Sequence, residues 1–508
     1  MSATKPTTGI PPEHLAALSH ELRTPLNGVI GMARLLDATR LTAEQRAYVT
    51  ALTESGEHLL GLVNDVLDYA RLGAGRIELS LAPLDPEDLL RSVAELLSPR
   101  AHEKGVEIGW AAEAGLAPIL ADEGRVKQVL LNLAGNAVKF VSKGGVLMLA
   151  ERAEKGRLRF TVSDTGPGVP EGQRAAIFEA FMQVEPGGES KRAGAGLGLA
   201  IALGLARAMD GELGVGGQEG LGADFWFEAP FDIAGPGEPH ASLEGRTVAV
   251  ASPSAIVREA AARQIESSGG RAVRATGVEE AMPLTGEGAV ILIDHDLAGD
   301  APPAPPPAGR HAVVLLKAEQ RDHIAEYRAA GFDGYLIKPL RRASLVERAL
   351  AAGQARAAED DRIAPPRKRA ATAAAGRRVL LAEDNPINAI LATALLRREG
   401  AAVTHVENGE AALAALADDA FDLVLMDVRM PGLSGLETTR ALRARGVATP
   451  VVALTANAFD NDRRACLEAG MDDFLVKPLS PDALRNVLTR LTGPSGWTRP
   501  PAQAKVAS

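Results

Sequence analysis

Apolar residues recur at three-to-four spacing through "LNGVIGMARLL" and again through "LLGLVNDVLDYARL", the period of a helix with one buried stripe. The polar break "DATRLTAEQ" between them predicts a helical hairpin from Glu13 to about Leu72. Such a hairpin leaves apolar stripes uncovered unless a second copy pairs with it, so the pattern predicts a dimeric four-helix bundle. From Leu84 to about Asp232 helices and short strands mix, separated by glycine-rich turns, and "AGPGEPH" then reads as a linker.

Two segments follow that repeat each other in outline. Each opens on a short apolar strand ("TVAVAS", "RVLLAED") followed by a helix. Each then shows a buried strand ending in aspartate ("AVILIDHDL", "DLVLMDVRM"), a further strand ("AVVLLK", "PVVALTA") and a closing "GFDGYLIKPL" or "GMDDFLVKPL". This alternation predicts two doubly wound parallel sheets, with function at the C-terminal ends of their strands. The Ala-, Pro- and charge-rich stretch "AAGQARAAEDDRIAPPRKRAATAAAG" between them reads as a mobile linker. The expected domains are 13–78, 84–233, 245–352 and 377–493, with linkers at 234–244 and 353–376 and disordered ends at 1–12 and 494–508.

Composition narrows the function classes. The 508 residues, 46% apolar and 24% charged, suit a soluble chain of several domains. A formal net charge of −10 argues against nucleic-acid binding. Cys466 is the one cysteine, so no intramolecular disulfide can form, and it reads as a small helix residue. No apolar run approaches the ~18 residues that a membrane span needs, and "MSATKPTTGIPPEH" lacks a secretory core. The expectation is a cytoplasmic protein with no membrane partner, whose input is inside the cell or carried by a partner.

Candidate chemistry begins at "LSHELRTPLNGV". A lone helical histidine is more often structural than catalytic, but the neighbours of His20 change that. Glu21 can take the proton from one ring nitrogen while the other attacks phosphorus, and Thr24, one turn on, can position water for the reverse hydrolysis. The stretch resembles the phosphoacceptor box of histidine kinases.

In "QVLLNLAGNAVKF" Asn132 and Asn136 share a helix face at i,i+4, with Lys139 a turn later. Asn136 suits a magnesium ion and Lys139 a phosphate. "SDTGPGV" offers Asp164 to an exocyclic adenine amine, with Gly166 and Gly168 allowing close backbone approach. "GAGLGLAIA" places Gly194, Gly196, Leu197 and Gly198 at a helix start, where free N–H groups favour phosphate. Each glycine run alone is weak; the ordered set, with "IFEAFMQV" and "GLGADFWF", resembles the GHKL-type ATP-binding domain. Ala195 and Ala223 depart from the hydroxyl residues common there, which puts one phosphate hydrogen bond in question.

In the last segment Glu383 and Asp384 end the first strand and Asp427 the third. Converging carboxylates are costly without a cation, and hard oxygen ligands suit magnesium. Asp427 can then accept a phosphoryl group, with Thr455 and Lys477 placed to hold its oxygens. The segment resembles a complete response-regulator receiver, with Phe474 at its aromatic switch position.

The earlier copy keeps Asp294 and Lys338 but has Ser252 and Pro253 where Glu383 and Asp384 stand, and Lys317 in place of Thr455. Magnesium binding and phosphorylation of Asp294 should therefore fail, leaving an Asp294–Lys338 or Asp294–Lys317 ion pair. Tyr335 and Ile337 share a strand face, Pro339 leads into a helix starting near Arg341 and carrying Ser344, and Arg321 opens the preceding helix. An aromatic, arginines and a helix start can stack a base and bind phosphate; the plain alternative is that the arginines solvate a helix face.

The full domain order resembles the soluble hybrid histidine kinases whose pseudo-receiver binds cyclic di-GMP. That resemblance implies a multidomain α and α/β chain: a four-helix-bundle dimerisation hairpin, a GHKL (Bergerat) α/β sandwich and two flavodoxin-like receiver domains. It implies ATP, Mg2+ and cyclic di-GMP as bound groups, the last held by Arg321, Tyr335, Ile337, Pro339, Arg341 and Ser344. The implied partners are a second copy, a histidine-phosphotransfer protein and a downstream response regulator. Asp360, Asp361 and Arg362 in "EDDR" can dock on the arginine face until a ligand displaces them, or can simply be solvated linker. Two other readings stay open: a phosphatase-dominant protein using Thr24, and a nucleotide-responsive scaffold with a degenerate ATP site.

Overall fold

The computed structural model describes residues 25–33, 36–37, 39, 41–73, 79–182, 196–236, 242–299, 304, 306–352, 374–455, 460–477 and 479–492. These divide into two compact units, one of which holds residues 64–359 and the other residues 16–63 with the C-terminal domain. Each unit is taken by itself.

Residues 25–33 are helical, and a long helix, α1, spans Ala43–Gly73. The break between them ends in a capping box: Gln45 N donates to Thr42 Oγ1 at 3.2 Å, and Thr42 N donates to Gln45 Oε1 at 3.0 Å. Tyr48, Leu52, Leu59 and Val66 of α1 remain exposed, as expected of a helix whose apolar surface awaits a partner.

The ATP-binding region is a five-stranded sheet faced by three helices. Its strands are β1 (Glu107–Ala112), β2 (Gly145–Arg152), β3 (Leu158–Asp164), β4 (Glu212–Gln218) and β5 (Gly222–Ala229), in the order β1-β2-β3-β5-β4. The helices are α2 (Pro86–Glu103), α3 (Glu123–Phe140) and α4 (Gly198–Ala208). Asp85 and Asp122 cap α2 and α3 by accepting from Glu87 N and Arg125 N. Trp110, Phe160, Phe227, Leu130 and Leu133 fill the core between helices and sheet.

The first doubly wound domain has strands β6 (Thr247–Ala251), β7 (Arg271–Ala275), β8 (Val290–Asp294), β9 (His311–Leu316) and β10 (Gly334–Ile337), all parallel, in the order β7-β6-β8-β9-β10. Helix α5 (Ala255–Ser267) follows β6 and α6 (Arg342–Ala351) follows β10. The second has β11 (Arg378–Ala382), β12 (Ala402–Val406), β13 (Leu423–Asp427), β14 (Val451–Thr455) and β15 (Asp473–Val476), in the matching order β12-β11-β13-β14-β15. Helix α7 (Gly435–Ala444) connects β13 to β14. No α-helix appears among the described residues between β8 and β9, where the sequence reads "APPAPPPAGR". Proline supplies no N–H to a helix ladder, so this run cannot build the crossover helix that its twin has.

Candidate phosphotransfer and nucleotide sites

His20, Glu21 and Thr24 lie outside the described residues, as do Gly194 and the linker residues Asp360, Asp361 and Arg362.

In the ATP-binding region Asp164 ends β3, and its Oδ1 accepts from Gly166 N at 2.8 Å and Ala223 N at 3.3 Å. Burial pushes the Asp164 carboxyl upward and the two N–H groups oppose it; the net direction is up. Gly168 has φ +73°, and a Cβ there would lie 2.6 Å from Gln218 O, so only glycine fits. Asn132 Nδ2 donates to Gly198 O at 2.9 Å, tying α3 to the start of α4. That start follows Gly196, at φ +70°, and Leu197, which offers no side-chain cap, leaving the first N–H groups of α4 open to an anion. Asn136 and Lys139 lie half-buried on α3, and the Lys139 ammonium stands 5.1 Å from the Phe140 ring centre. Burial lowers the Lys139 pKa, with Arg100 adding to the fall.

In the second doubly wound domain, oxygens of Glu383, Asp384 and Asp427 all lie within 4.8 Å of one another. Lys477 Nζ stands 2.6 Å from Glu383 Oε2 and 2.6 Å from Asp427 Oδ2. One ammonium against three carboxylates leaves a surplus of negative charge, and this hard-oxygen donor set fits a magnesium ion. Asn388 Nδ2 donates to Glu383 Oε1 at 2.9 Å, and Arg429 N to Asp427 Oδ1 at 3.2 Å. Burial pushes the Glu383 carboxyl up, Lys477 opposes and Asp427 adds to the rise; the net shift is upward. Thr455 ends the neighbouring strand β14, and Lys477 N donates to its carbonyl at 2.7 Å. Phe474 packs, partly buried, against the core below the site.

The first copy is wired differently. Ser252 Oγ donates to Asp294 Oδ2 at 2.6 Å, and Lys338 Nζ stands 3.0 and 3.2 Å from the two Asp294 oxygens. Of the two ion pairs left open by the sequence, Asp294–Lys338 is formed. Lys317 instead meets Asp296 at 2.9 Å and Glu107, from β1 of the ATP-binding region, at 3.3 Å. Burial would lower the Lys338 pKa, but Asp294, Glu107 and Asp296 outweigh it and hold the ammonium at about 12. Sequence reasoning missed Glu107, Asp296 and Arg342; the lysine standing where its twin has Thr455 was the available signal that acids surround this pocket.

On the proposed ligand face, Arg321 sits exposed in a 3-10 turn, Ala318–His323, rather than in a regular helix. Tyr335 and Ile337 are half-buried on β10, with the Arg348 guanidinium 5.9 Å from the Tyr335 ring centre. Pro339 is buried, Arg341 is the exposed N-cap residue of α6, and Ser344 lies in the first turn. Arg341 Nε donates to Glu95 Oε1 of α2 at 2.7 Å, so this arginine already has a carboxylate partner.

An ATP-binding sandwich and an acid-lined receiver in one chain define a hybrid histidine kinase. Three family models match: "His Kinase A (phospho-acceptor) domain" over residues 13–75, "Histidine kinase-, DNA gyrase B-, and HSP90-like ATPase" over 121–233, and "Response regulator receiver domain" over 379–489. A crystal structure of ShkA full-length in complex with AMPPNP is 61% identical, covers 95% of this chain and 100% of that one, and has a TM-score of 0.64. The chain belongs to the hybrid histidine kinase family. The sensor histidine kinase GacS of Pseudomonas protegens is 33% identical, over 95% of this chain and 55% of GacS. The chain thus spans about half the length of the curated relatives it matches. A crystal structure of the ShkA Rec1 domain in complex with c-di-GMP is 58% identical over 22% of this chain and 94% of that one, with a TM-score of 0.21. No helix among the described residues is long and apolar enough to cross a membrane.

Proposed function

We propose that the chain is an ATP-dependent protein-histidine kinase acting as a dimer. It phosphorylates His20, passes the phosphoryl group to Asp427, and hands it on to a histidine-phosphotransfer protein and thence to a response regulator. The observation that carries this reading is the convergence of Glu383, Asp384 and Asp427 within 4.8 Å, with Lys477 beside them, in a chain that also carries the "HELRTPL" box and a complete set of nucleotide turns.

In the first step a His20 ring nitrogen attacks the γ-phosphorus, ADP leaves and Glu21 takes the ring proton. Asp164 holds the adenine amine, Gly166 and Gly168 admit the base, and the open N–H groups at the start of α4 face the phosphates. Asn136, and at the receiver Glu383, Asp384 and Asp427, would hold magnesium, which offsets charge on the phosphoryl oxygens. In the second step an Asp427 oxygen forms the new bond to phosphorus as the histidine nitrogen departs. The Lys477 ammonium and Thr455 hydroxyl steady the oxygens in flight.

Cyclic di-GMP on the first doubly wound domain gates this relay. Arg321, Tyr335, Ile337, Pro339, Arg341 and Ser344 are its contacts, and Asp360, Asp361 and Arg362 compete for the same arginines. The two exposed arginines and the part-exposed tyrosine suit a dianionic, base-bearing ligand. The deciding experiment is labelling with γ-32P-ATP, with and without cyclic di-GMP, in wild type, His20→Ala, Asp427→Asn and Tyr335→Ala. Label should vanish in His20→Ala, remain on histidine in Asp427→Asn, and respond to cyclic di-GMP except in Tyr335→Ala. Label surviving in His20→Ala overturns the kinase reading, and label indifferent to nucleotide overturns the gating.

A further inference from the structure

The edge strand β1 of the ATP-binding sheet is buried at all six positions, which one layer of helices alone does not explain. One face packs into the domain core. The other is covered by α5 of the first doubly wound domain, where Ala111, Leu147 and Leu149 form a cluster with Ile256 and Ala260. The approach is close: a Cβ on Gly109 would stand 2.7 Å from the Ala260 Cβ. Gln264 on α5 donates to Trp110 O at 2.8 Å and to Leu340 O at 3.2 Å, tying both sides of the seam. Four ion pairs on the seam are sorted by side, while His102 and Glu319, 4.0 Å apart, stand the other way round. Carboxylates Glu87, Glu95, Glu107 and Glu151 come from the ATP-binding region; Arg342, Arg341, Lys338 and Arg263 meet them from the other.

Glu107 differs from the rest because it enters the relic phosphorylation pocket itself. Its Oε1 lies 3.0 Å from Lys338 Nζ and 3.3 Å from Lys317 Nζ. In the intact receiver the lysine ammonium is shared between the phosphoacceptor Asp427 and the strand-end acid Glu383. Here the strand-end residue is Ser252, and an acid from another domain has taken the second place beside the lysine. Lys317, standing where the twin has Thr455, supplies an additional ammonium for that acid.

We propose that the dismantled phosphorylation pocket has become a receptor for the Glu107 carboxylate, fastening the ATP-binding domain to the pseudo-receiver and restraining ligand-free autophosphorylation. Closure gives the buried Glu107 carboxylate two ammonium partners that offset its desolvation, while the lysines also keep Asp294 and Asp296 of their own domain. The docking half of the proposal stands apart from the reading of cyclic di-GMP as the ligand, and its test uses none.

The test compares full-length wild type with Glu107→Lys, and with the charge-preserving Glu107→Asp. Amide hydrogen exchange of β1 and α5 should quicken at least tenfold in Glu107→Lys and far less in Glu107→Asp. Ligand-free labelling of His20 should rise several-fold in Glu107→Lys and follow the same order. Glu107→Gln, which removes charge with little change of shape, should give both shifts in smaller measure and keeps the test open if the lysine variant does not fold. Unchanged exchange at β1 and α5 in Glu107→Gln and Glu107→Lys overturns the docking. Quickened exchange without a rise in labelling overturns the restraint, and exchange alone decides the docking even if no protein is labelled at all.

Discussion

The two doubly wound domains keep the same strand order and place an aspartate at the end of the same strand, Asp294 or Asp427. They differ in what surrounds that carboxylate. In the C-terminal copy, two further acids from its own first strand leave negative charge in excess, a state that asks for a cation. In the other copy, a serine hydroxyl and a lysine already satisfy Asp294, and the Lys338 side chain is 2% exposed where Lys477 is 18% exposed. In the open pocket one ammonium faces three carboxylates, which suits a cation and phosphoryl chemistry; in the closed one two ammoniums hold Asp294, Asp296 and Glu107 in ion pairs. The roles proposed for the two pockets, one reactive and one adhesive, therefore rest on a few residues beside strand ends of sheets with the same order.

The largest expected effect tests the contrast directly. Acyl phosphate trapped after reaction with ATP should map to Asp427, and Asp427→Asn should lose it by roughly a thousandfold or more, as removal of a nucleophile does. Asp294 should stay unmodified in both proteins. Peptide mass spectrometry after hydroxylamine or borohydride trapping makes the measurement, and acyl phosphate on Asp294 would erase the distinction between the domains.

Next in size is the cost of removing each lysine. Lys338→Met leaves Asp294 buried with the Ser252 hydroxyl but no ammonium, and Glu107 with Lys317 alone, and breaking such a buried pair costs roughly 3–5 kcal/mol. Lys477→Met leaves carboxylates that magnesium and water can reach, so its stability loss should be smaller while phosphotransfer fails. Urea unfolding in the presence of magnesium compares the two, and an equal cost would mean that the pockets are equally closed.

The same lysine sharpens the comparison through pH. The Lys338 pKa is raised from 10.5 to about 12 in the folded chain. A raised ammonium pKa contributes stability that is fully present below 10.5 and is lost as pH climbs through about 12. The shift corresponds to about 2 kcal/mol, at roughly 1.4 kcal/mol per unit. Melting curves from pH 9.5 to 12 should fall more steeply for wild type than for Lys338→Met, and parallel curves would remove the ionic account of the pocket.

Much of this was legible in the residues alone. The hairpin period, the ordered glycine turns and the acid pair "ED" are local signals, each carried within one segment. The loss of the acid pair at Ser252 and Pro253 was equally plain. The destination of Lys317 was not, because its partner Glu107 lies far away along the chain on a strand of another domain. Nothing near either residue encodes that meeting; only the packing of α5 across β1 brings them together. Sequence reasoning also treated the two doubly wound segments as equal in outline and passed over "APPAPPPAGR", although its prolines exclude the crossover helix that α7 provides in the twin.

That crossover in the C-terminal copy supports the smallest test. Helix α7 begins with a capping box: Ser434 Oγ accepts from Glu437 N at 3.4 Å, while Glu437 Oε2 accepts from Ser434 N at 3.0 Å. Ser434→Ala removes the hydroxyl acceptor and should cost about 1 kcal/mol, the usual worth of such a cap. The box stands seven residues beyond Asp427, and Gly435 N donates to Val428 O at 3.2 Å, tying the start of α7 to the loop that leaves Asp427. Loosening it should slow transfer from His20 by a few-fold at unchanged ATP labelling. Rapid-quench transfer kinetics, beside thermal melts of the same variant, separate the two effects. A loss of stability with transfer unaltered would leave α7 as a scaffold alone.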